Sequence, residues 1–184
     1  ERSTTKHPHP ILSDINVRTA LSKAIDRQIL VDIGYGNAGR PTCNLVPAPE
    51  LFASDNTGCI PHEMEGAKKL LDDAGWVPGA DGVREKDGKK LHILYQTSTN
   101  PVRQDFQALI KDWWTELGVD VELRNIDASV FFGGDAGSPD TFQKFYADVE
   151  MYANNFDGTD PENYLAERVC NKAPRPETQW QGTN

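Results

Sequence analysis

Residues 91–124 read LHILYQTSTNPVRQDFQALIKDWWTELGVDVELR, and this stretch predicts a βαβ unit. Apolar residues alternate along 91–96 with the period of a strand. Asn100 suits the N-cap of a helix, and Pro101 suits its first position, where a backbone N–H would lack a partner anyway. Apolar residues then recur at spacings of three and four, forming a stripe wide enough to lie against a sheet: Val102, Phe106, Leu109, Ile110, Trp113, Trp114 and Leu117.

The second strand of this unit follows a glycine that predicts the end of the helix, Gly118. Residues 119–124 alternate again, and a right-handed crossover makes the two strands parallel. Ligands of open α/β sheets bind beyond the carboxyl ends of the strands. We therefore expect the ligand at the loops 96–100 and 125–129. The candidate ligand-binding residues in the first loop are Thr97 and Asn100.

The segments around this unit predict further helices, a hairpin and a third strand. Asp14 suits the N-cap of an early helix, and Asp127 suits the N-cap of a short helix after the second strand. Asp87 with Gly88 suits the tight turn of a hairpin. Pro139 is expected to open a helix that carries Phe142 and Phe145. Residues 147–153 alternate as a third strand, so the polar loop 154–161 is expected to join the same ligand edge.

Composition predicts an ordinary globular domain. The 184 residues fit one domain or one lobe of a larger protein, with 38% hydrophobic and 26% charged residues. The net charge of -9 provides no basic surface and excludes nucleic acid as an expected partner, while cationic or zwitterionic ligands remain open. No apolar run reaches the length of a membrane span. Both ends read as interrupted, and we expect a fragment of a longer protein.

The three cysteines allow two interpretations. Cys43 and Cys59 flank a loop rich in Pro, Asn and Gly that lacks an apolar period, so a disulfide would stabilise it by about 3 kcal/mol for a loop of about 15 residues. Such a bond persists in an oxidising compartment. Two free thiols are the alternative. Cys170 is left unpaired, and we expect its partner beyond Asn184.

No pattern of residues predicts catalysis, a cofactor or a metal site. The sequence lacks a Gly-rich phosphate loop, a Gly-x-Ser-x-Gly elbow and a His-Glu-x-x-His pair. His7 and His9 lie in a Pro-rich segment without a third ligand, and we expect both to be solvated.

Several phrases resemble one family, the peptide/nickel class of bacterial extracellular solute-binding proteins that feed ABC importers. The segment 12–27 reads LSDINVRTALSKAIDR, like the family's capped signature helix. AKKLLDDAGW at 67–76 resembles its next helix, and 81–91 resembles its DG-rich hairpin. DGTDPENYL at 157–165 resembles the segment in which an Asp precedes a DP pair. The resemblance covers nearly the whole chain, but only the second lobe of the family's two-lobed body.

The resemblance implies a fold and a binding role. The fold would be a three-layer α/β lobe of the type II periplasmic-binding-protein class, with residues 1–184 as a single lobe and the first lobe missing. The protein would bind a peptide or similar solute between its lobes and deliver it to a membrane permease, outside the cytoplasm, in the periplasm or lipid-anchored at the cell surface. Asp157 matches the family residue that pairs with the ligand's α-amino group. Asn154 stands where family members often have an aromatic residue beside the ligand.

Other functions remain open at this point. Within the family, nickel complexes and oligosaccharides are alternative ligands. An α/β enzyme domain, nucleotide-binding or hydrolytic, shares the fold class, because a fold alone does not determine chemistry. A purely structural or interaction domain is the third alternative.

Overall fold

Three parallel strands form the central sheet of a computed structural model that describes residues 7–155 and 158–182. The strands are β4 (His92–Ser98), β5 (Asp120–Ile126) and β6 (Val149–Met151), in the order β5-β4-β6. In this register Thr97 of the middle strand lies beside Asn125 on one side and Met151 on the other. Helix α4 (Pro101–Glu116) connects β4 to β5 and confirms the predicted βαβ unit.

The ends of α4 follow the predicted chemistry. The side chain of Asn100 accepts a hydrogen bond from the backbone N–H of Arg103 at 3.1 Å, and Pro101 is the first helical residue. Gly118 has φ +94°, a backbone conformation that residues other than glycine adopt only at a cost in free energy. A Cβ atom there would also lie 2.9 Å from Cγ of Arg84, so both backbone angle and space favour glycine.

One face of the sheet, the helical face, packs against three helices: α1 (Ile15–Lys23), α3 (Met64–Asp73) and α4. Asp14 caps α1 as predicted, accepting from the N–H of Asn16. Trp114 of α4 contacts Tyr95 on the sheet and donates from its indole Nε1 to the carbonyl of Leu21 in α1 at 2.9 Å. The core therefore lies between the sheet and these helices. Its fully buried members include Val17, Ala20, Ala67, Leu71, Leu91 and Ile93.

The other face, the polar face, is covered in part by the connection from β5 to β6. Gln96 and Glu150 contact each other there. Tyr152, two residues after Glu150, lies on the same face and packs on Phe142. The connection contains α5 (Ala128–Phe131) and a turn of 3-10 helix, Phe142–Lys144. Helices, sheet and connection give the three layers that were expected.

The prediction of a helix that opens at Pro139 and carries Phe142 and Phe145 is wrong, because only the 3-10 turn Phe142–Lys144 forms there. Phe145 takes a left-handed conformation with φ +52° directly after the 3-10 turn, so the chain leaves the helical path there.

A small antiparallel sheet precedes β4: β1 (Val77–Pro78), β2 (Arg84–Lys86) and β3 (Lys89–Lys90). Asp87 and Gly88 both have positive φ, confirming the predicted hairpin turn. Arg84 is buried and joins this sheet to the helices: its guanidinium donates to the carbonyls of Leu117 at 2.8 Å and Trp76 at 2.6 Å, and pairs with Asp72.

The remaining segments lie around this core. Helix α2 (Arg27–Gly34) is capped by Asp26, and α6 (Glu162–Ala166) follows the DP pair. Single 3-10 turns occur at Gly36–Ala38, Cys170–Lys172 and Pro176–Thr178. The Cys43–Cys59 disulfide is present, and Arg27 donates to the carbonyl of Cys59 at 2.7 Å, fixing the loop to the helices. In the described part of the chain, no helix has the length and apolar character to cross a membrane.

Candidate functional site

The carboxyl ends of β4, β5 and β6 lie side by side at one edge of the sheet, where ligands of such sheets bind. The segments that follow them are the start of α4, the start of α5 and the loop after Met151. The structure therefore brings together the three loops that the sequence predicted to form one ligand edge.

Thr97 lies just inside this edge. Its side chain is fully buried, and its hydroxyl donates to the carbonyl of Met151 at 2.5 Å. The hydroxyl is thus used within the sheet, where it holds the end of β6 against β4. Any contribution of Thr97 to binding acts through the position of β6.

The other predicted ligand residues differ in their surroundings. Asn100 is half-buried, and its side-chain oxygen caps α4 by accepting from the backbone N–H of Arg103. Asn154 is exposed in the loop after β6. Asp157, the residue matched to the amine anchor, lies outside the described residues.

Arg103, in the first turn of α4, was not singled out from the sequence. Its Nη1 donates to the hydroxyl of the buried Ser98 at 2.7 Å. Its guanidinium carbon lies 5.7 Å from the centre of the Phe132 ring, within the range of a cation–π contact. Arg103 therefore links the end of β4 to the segment that follows β5.

Three rings, which we call the aromatic row, run along the same edge: Phe132, Phe142 and Tyr152. The ring centres of Phe132 and Phe142 are 5.8 Å apart, and those of Phe142 and Tyr152 are 5.0 Å apart. Phe131 is completely buried beneath them, whereas Phe132 keeps 44% of its surface exposed. The sequence showed these aromatic residues, but nothing in it indicated that segments so far apart would meet.

Tyr164 and Arg168 extend this edge on the side of the DP segment. The guanidinium of Arg168 lies over the Tyr164 ring at 4.5 Å. Burial acts to lower the pKa of Arg168, but hydrogen bonds to Tyr164 and Tyr152 outweigh it, and the net pKa is raised. Arg168 therefore stays charged and ties α6 to the aromatic row.

Buried amides stiffen the strands below the edge. Gln107 of α4 donates to the carbonyl of Tyr95 at 3.0 Å and accepts from the side chain of Asn125 at 2.6 Å. On the polar face, Gln96 donates to Glu150. These contacts join α4, β4, β5 and β6, so the loops at the edge start from fixed positions.

The helix cap after β5 is also ordered by polar contacts. The hydroxyl and backbone N–H of Ser129 both donate to Asp127, and these hydrogen bonds hold the pKa of that carboxyl below its ordinary value. Asp127 was predicted as this cap, and the prediction is confirmed.

His9 corrects one expectation. It is not simply solvated: Nδ1 accepts from the backbone N–H groups of Ile11 and Leu12, and Nε2 lies 2.7 Å from Asp148. Because Nδ1 accepts, Nε2 carries a proton and donates to Asp148. Among the residues that the structure describes, no group of three or more His, Cys, Asp or Glu is placed to hold a metal ion.

Comparison with known proteins identifies a family and several relatives of this chain. The model of the family described as bacterial extracellular solute-binding proteins, family 5 Middle, matches residues 3–173. Protein XP55 of Streptomyces lividans is 32% identical over 114 residues, which are 61% of this chain and 21% of that protein. The oligopeptide-binding protein OppA of Mycobacterium bovis is 30% identical over 129 residues, 68% of this chain and 22% of that protein. The matched region thus spans about a fifth of the length of these curated relatives.

Solved structures share the fold. The crystal structure of NikZ from Campylobacter jejuni in complex with Ni(L-His) superposes with a TM-score of 0.72 at 22% identity, covering 86% of this chain and 30% of that one. AppA from Bacillus subtilis in complex with a nonapeptide gives 0.65 at 24% identity, covering 78% and 28%. These likenesses confirm the expected fold class, an α/β lobe of the type II periplasmic-binding-protein class.

Proposed function

The chain belongs to family 5 of the bacterial extracellular solute-binding proteins, and from this premise we propose that it is one lobe of the substrate-binding component of an ABC importer. In this proposal residues 1–184 form a single lobe, and a second lobe of the same protein supplies the other wall of a cleft. The ligand is a peptide or a similar small solute. Hinge closure around it produces the form that is presented to a membrane permease.

The observation that carries the proposal is the shared edge at which β4, β5 and β6 end. Three loops meet there with polar ends and a partly exposed aromatic row, which is the mixed lining typical of solute sites. Several relatives that match this chain are named oligopeptide-binding proteins. Their names support peptide as the ligand class, and the family is one of binding proteins, not of enzymes.

Asp157 is the proposed anchor of the ligand's α-amino group. A carboxylate can hold an ammonium through charge-assisted hydrogen bonds, which contribute about 1.5 to 3 kcal/mol each. The net charge of -9 also favours ligands with a free amine. Asn100 and Asn154 are proposed to donate to the peptide backbone, while Thr97 positions β6.

The disulfide supports a place outside the cytoplasm. Cys43 and Cys59 close the loop beside α1 and α2, and such bonds persist in oxidising compartments. The periplasm, or the outer cell surface through a lipid anchor, fits both this bond and a role in delivering solute to a permease.

Calorimetry on the intact protein tests the proposal. We expect saturable binding of a mixed pool of short peptides, and no comparable response to oligosaccharides or to nickel complexes, the other ligand classes in the family. Asp157→Asn should weaken peptide binding by roughly a hundredfold, since removing one member of an enclosed charge pair costs about 3 kcal/mol or more.

Asp160→Asn is the matched control. Its carboxylate is exposed and caps the adjacent turn by accepting from the N–H of Glu162 at 2.9 Å. Affinity should change little in this variant. Saturable sugar or nickel-complex binding without a peptide response would refute the ligand class, and an unchanged affinity of Asp157→Asn would refute the anchor.

A further inference from the structure

We propose that the aromatic row and Arg103 form a subsite for an aromatic side chain at the carboxyl end of a short peptide. This inference rests on the proposed function and specifies the ligand class of the same edge. The segments that follow the three strands each contribute one side chain to a single surface. Arg103 follows β4, Phe132 follows β5, and Tyr152 follows β6.

The apolar half of this subsite is the exposed part of the aromatic row. Phe132 contacts Phe131 at 4.9 Å and Phe142 at 5.8 Å, so its position is fixed from below and from one side. It nevertheless remains 44% exposed. A ring held in place with its outer surface open is suited to stack with another ring, because aromatic pairs at such distances attract beyond their buried area.

The polar half is Arg103. Its Nη1 is fixed by the Ser98 hydroxyl at 2.7 Å, and the guanidinium lies against Phe132. Within the described residues, its other N–H groups donate to no protein atom. A planar guanidinium with free donors can bind a carboxylate through two parallel hydrogen bonds. A carboxylate held there lies next to the open ring, as it would in a C-terminal aromatic residue.

The spacing of the strands sets the length of the ligand. Neighbouring strands lie about 4.8 Å apart, so the distance across the ends of the sheet, from β6 to β5, is about 10 Å. Three residues of extended peptide span about 10 Å. A tripeptide laid across the ends of the three strands can therefore bring its third residue to Phe132 and Arg103.

The test uses the intact protein and three probes: Ala-Ala-Phe, Ala-Ala-Ala and the C-terminal amide of Ala-Ala-Phe. Wild-type protein should bind Ala-Ala-Phe about tenfold more tightly than Ala-Ala-Ala. Phe132→Ala should abolish this preference, while Phe132→Leu retains part of it. Arg103→Gln should remove the advantage of the free acid over the amide, about tenfold in the wild type.

Phe52→Ala is the matched control, because Phe52 is a similarly exposed phenylalanine in the disulfide loop, at 47%. It should leave all three affinities unchanged. Equal wild-type affinity for Ala-Ala-Phe and Ala-Ala-Ala would overturn the subsite while leaving peptide binding intact. Equal losses for both peptides in Phe132→Ala, with a lowered unfolding temperature, would show that the row packs against the rest of the protein instead. Absence of binding to any peptide would overturn the proposed function and this inference with it.

Discussion

The helical face of the sheet is lined by Ile93, Tyr95 and Val121, whereas Gln96, Glu150 and Asp148 lie on the polar face. The helical face is stabilised by apolar burial shared among many contacts. The polar face depends on individual pairs, such as Gln96 with Glu150, Arg124 with Asp140 and Asp148 with His9. On the helical face many buried side chains each contribute to the free energy of unfolding, whereas on the polar face a few hydrogen bonds and ion pairs contribute. The two faces should therefore respond differently to substitution.

The largest effect is expected on the helical face. Trp114→Ala removes a side chain that is 3% exposed, its contact with Tyr95 and its hydrogen bond to Leu21. We expect a loss of about 3 to 5 kcal/mol in the free energy of unfolding, measured by urea denaturation. Trp114→Phe keeps most of the apolar volume and should cost clearly less. If both variants lost the same free energy, the indole hydrogen bond and not burial would dominate this face.

The polar face should show an intermediate effect at one aspartate. One carboxylate oxygen of Asp148 accepts from the backbone N–H of Leu94 at 2.7 Å and the other accepts from His9. Asp148→Ala leaves both donors without their partner, and we expect a cost of about 1 to 3 kcal/mol by the same denaturation experiment. Asp148→Asn keeps one acceptor for Leu94 and should cost less than Ala.

Asp140→Ala provides the matched control for Asp148. It also removes an aspartate of the polar face, but its partner Arg124 has a side chain that is 41% exposed. Pairs in such surroundings contribute about 0 to 1 kcal/mol. Equal costs for the two alanine variants would mean that the Leu94 and His9 contacts add nothing beyond an ordinary surface pair.

The difference between the faces also explains what the sequence could predict. The period of α4, the alternation of β4 and β5, and the caps at Asn100 and Asp127 depend on neighbours a few residues apart, so local patterns indicated them. The strand order β5-β4-β6 depends on pairing between segments far apart in the chain. Without that order, neither the His9–Asp148 contact nor the partners of Gln96 could be predicted.

The candidate site divides in the same way. Position along the chain was enough to predict that the loops after the three strands share an edge. It was not enough to bring Phe132, Phe142 and Tyr152 into one row, since that requires the path of the connection between β5 and β6. Thr97 illustrates the converse. Its place at the strand end suggested a ligand contact, but its hydroxyl is used by Met151 within the sheet.

The smallest effect at neutral pH is expected for Tyr95, a buried tyrosine on the helical face. Burial raises the pKa of the Tyr95 hydroxyl well above its ordinary value, and the hydroxyl donates to Sδ of Met151 at 3.3 Å. The folded protein therefore keeps this proton more tightly than the unfolded chain does. Below the unfolded pKa of about 10 the stabilisation is complete, and it is lost as the pH rises toward the folded pKa.

Tyr95→Phe should cost only about 0.5 kcal/mol at neutral pH, because a hydroxyl–sulfur contact is weak. The variant should, however, lose less stability than the wild type between neutral and strongly alkaline pH, which urea denaturation at a series of pH values can measure. Parallel stability curves for the two proteins would mean that Tyr95 ionises as readily in the folded state as in the unfolded one, and that water reaches this part of the helical face.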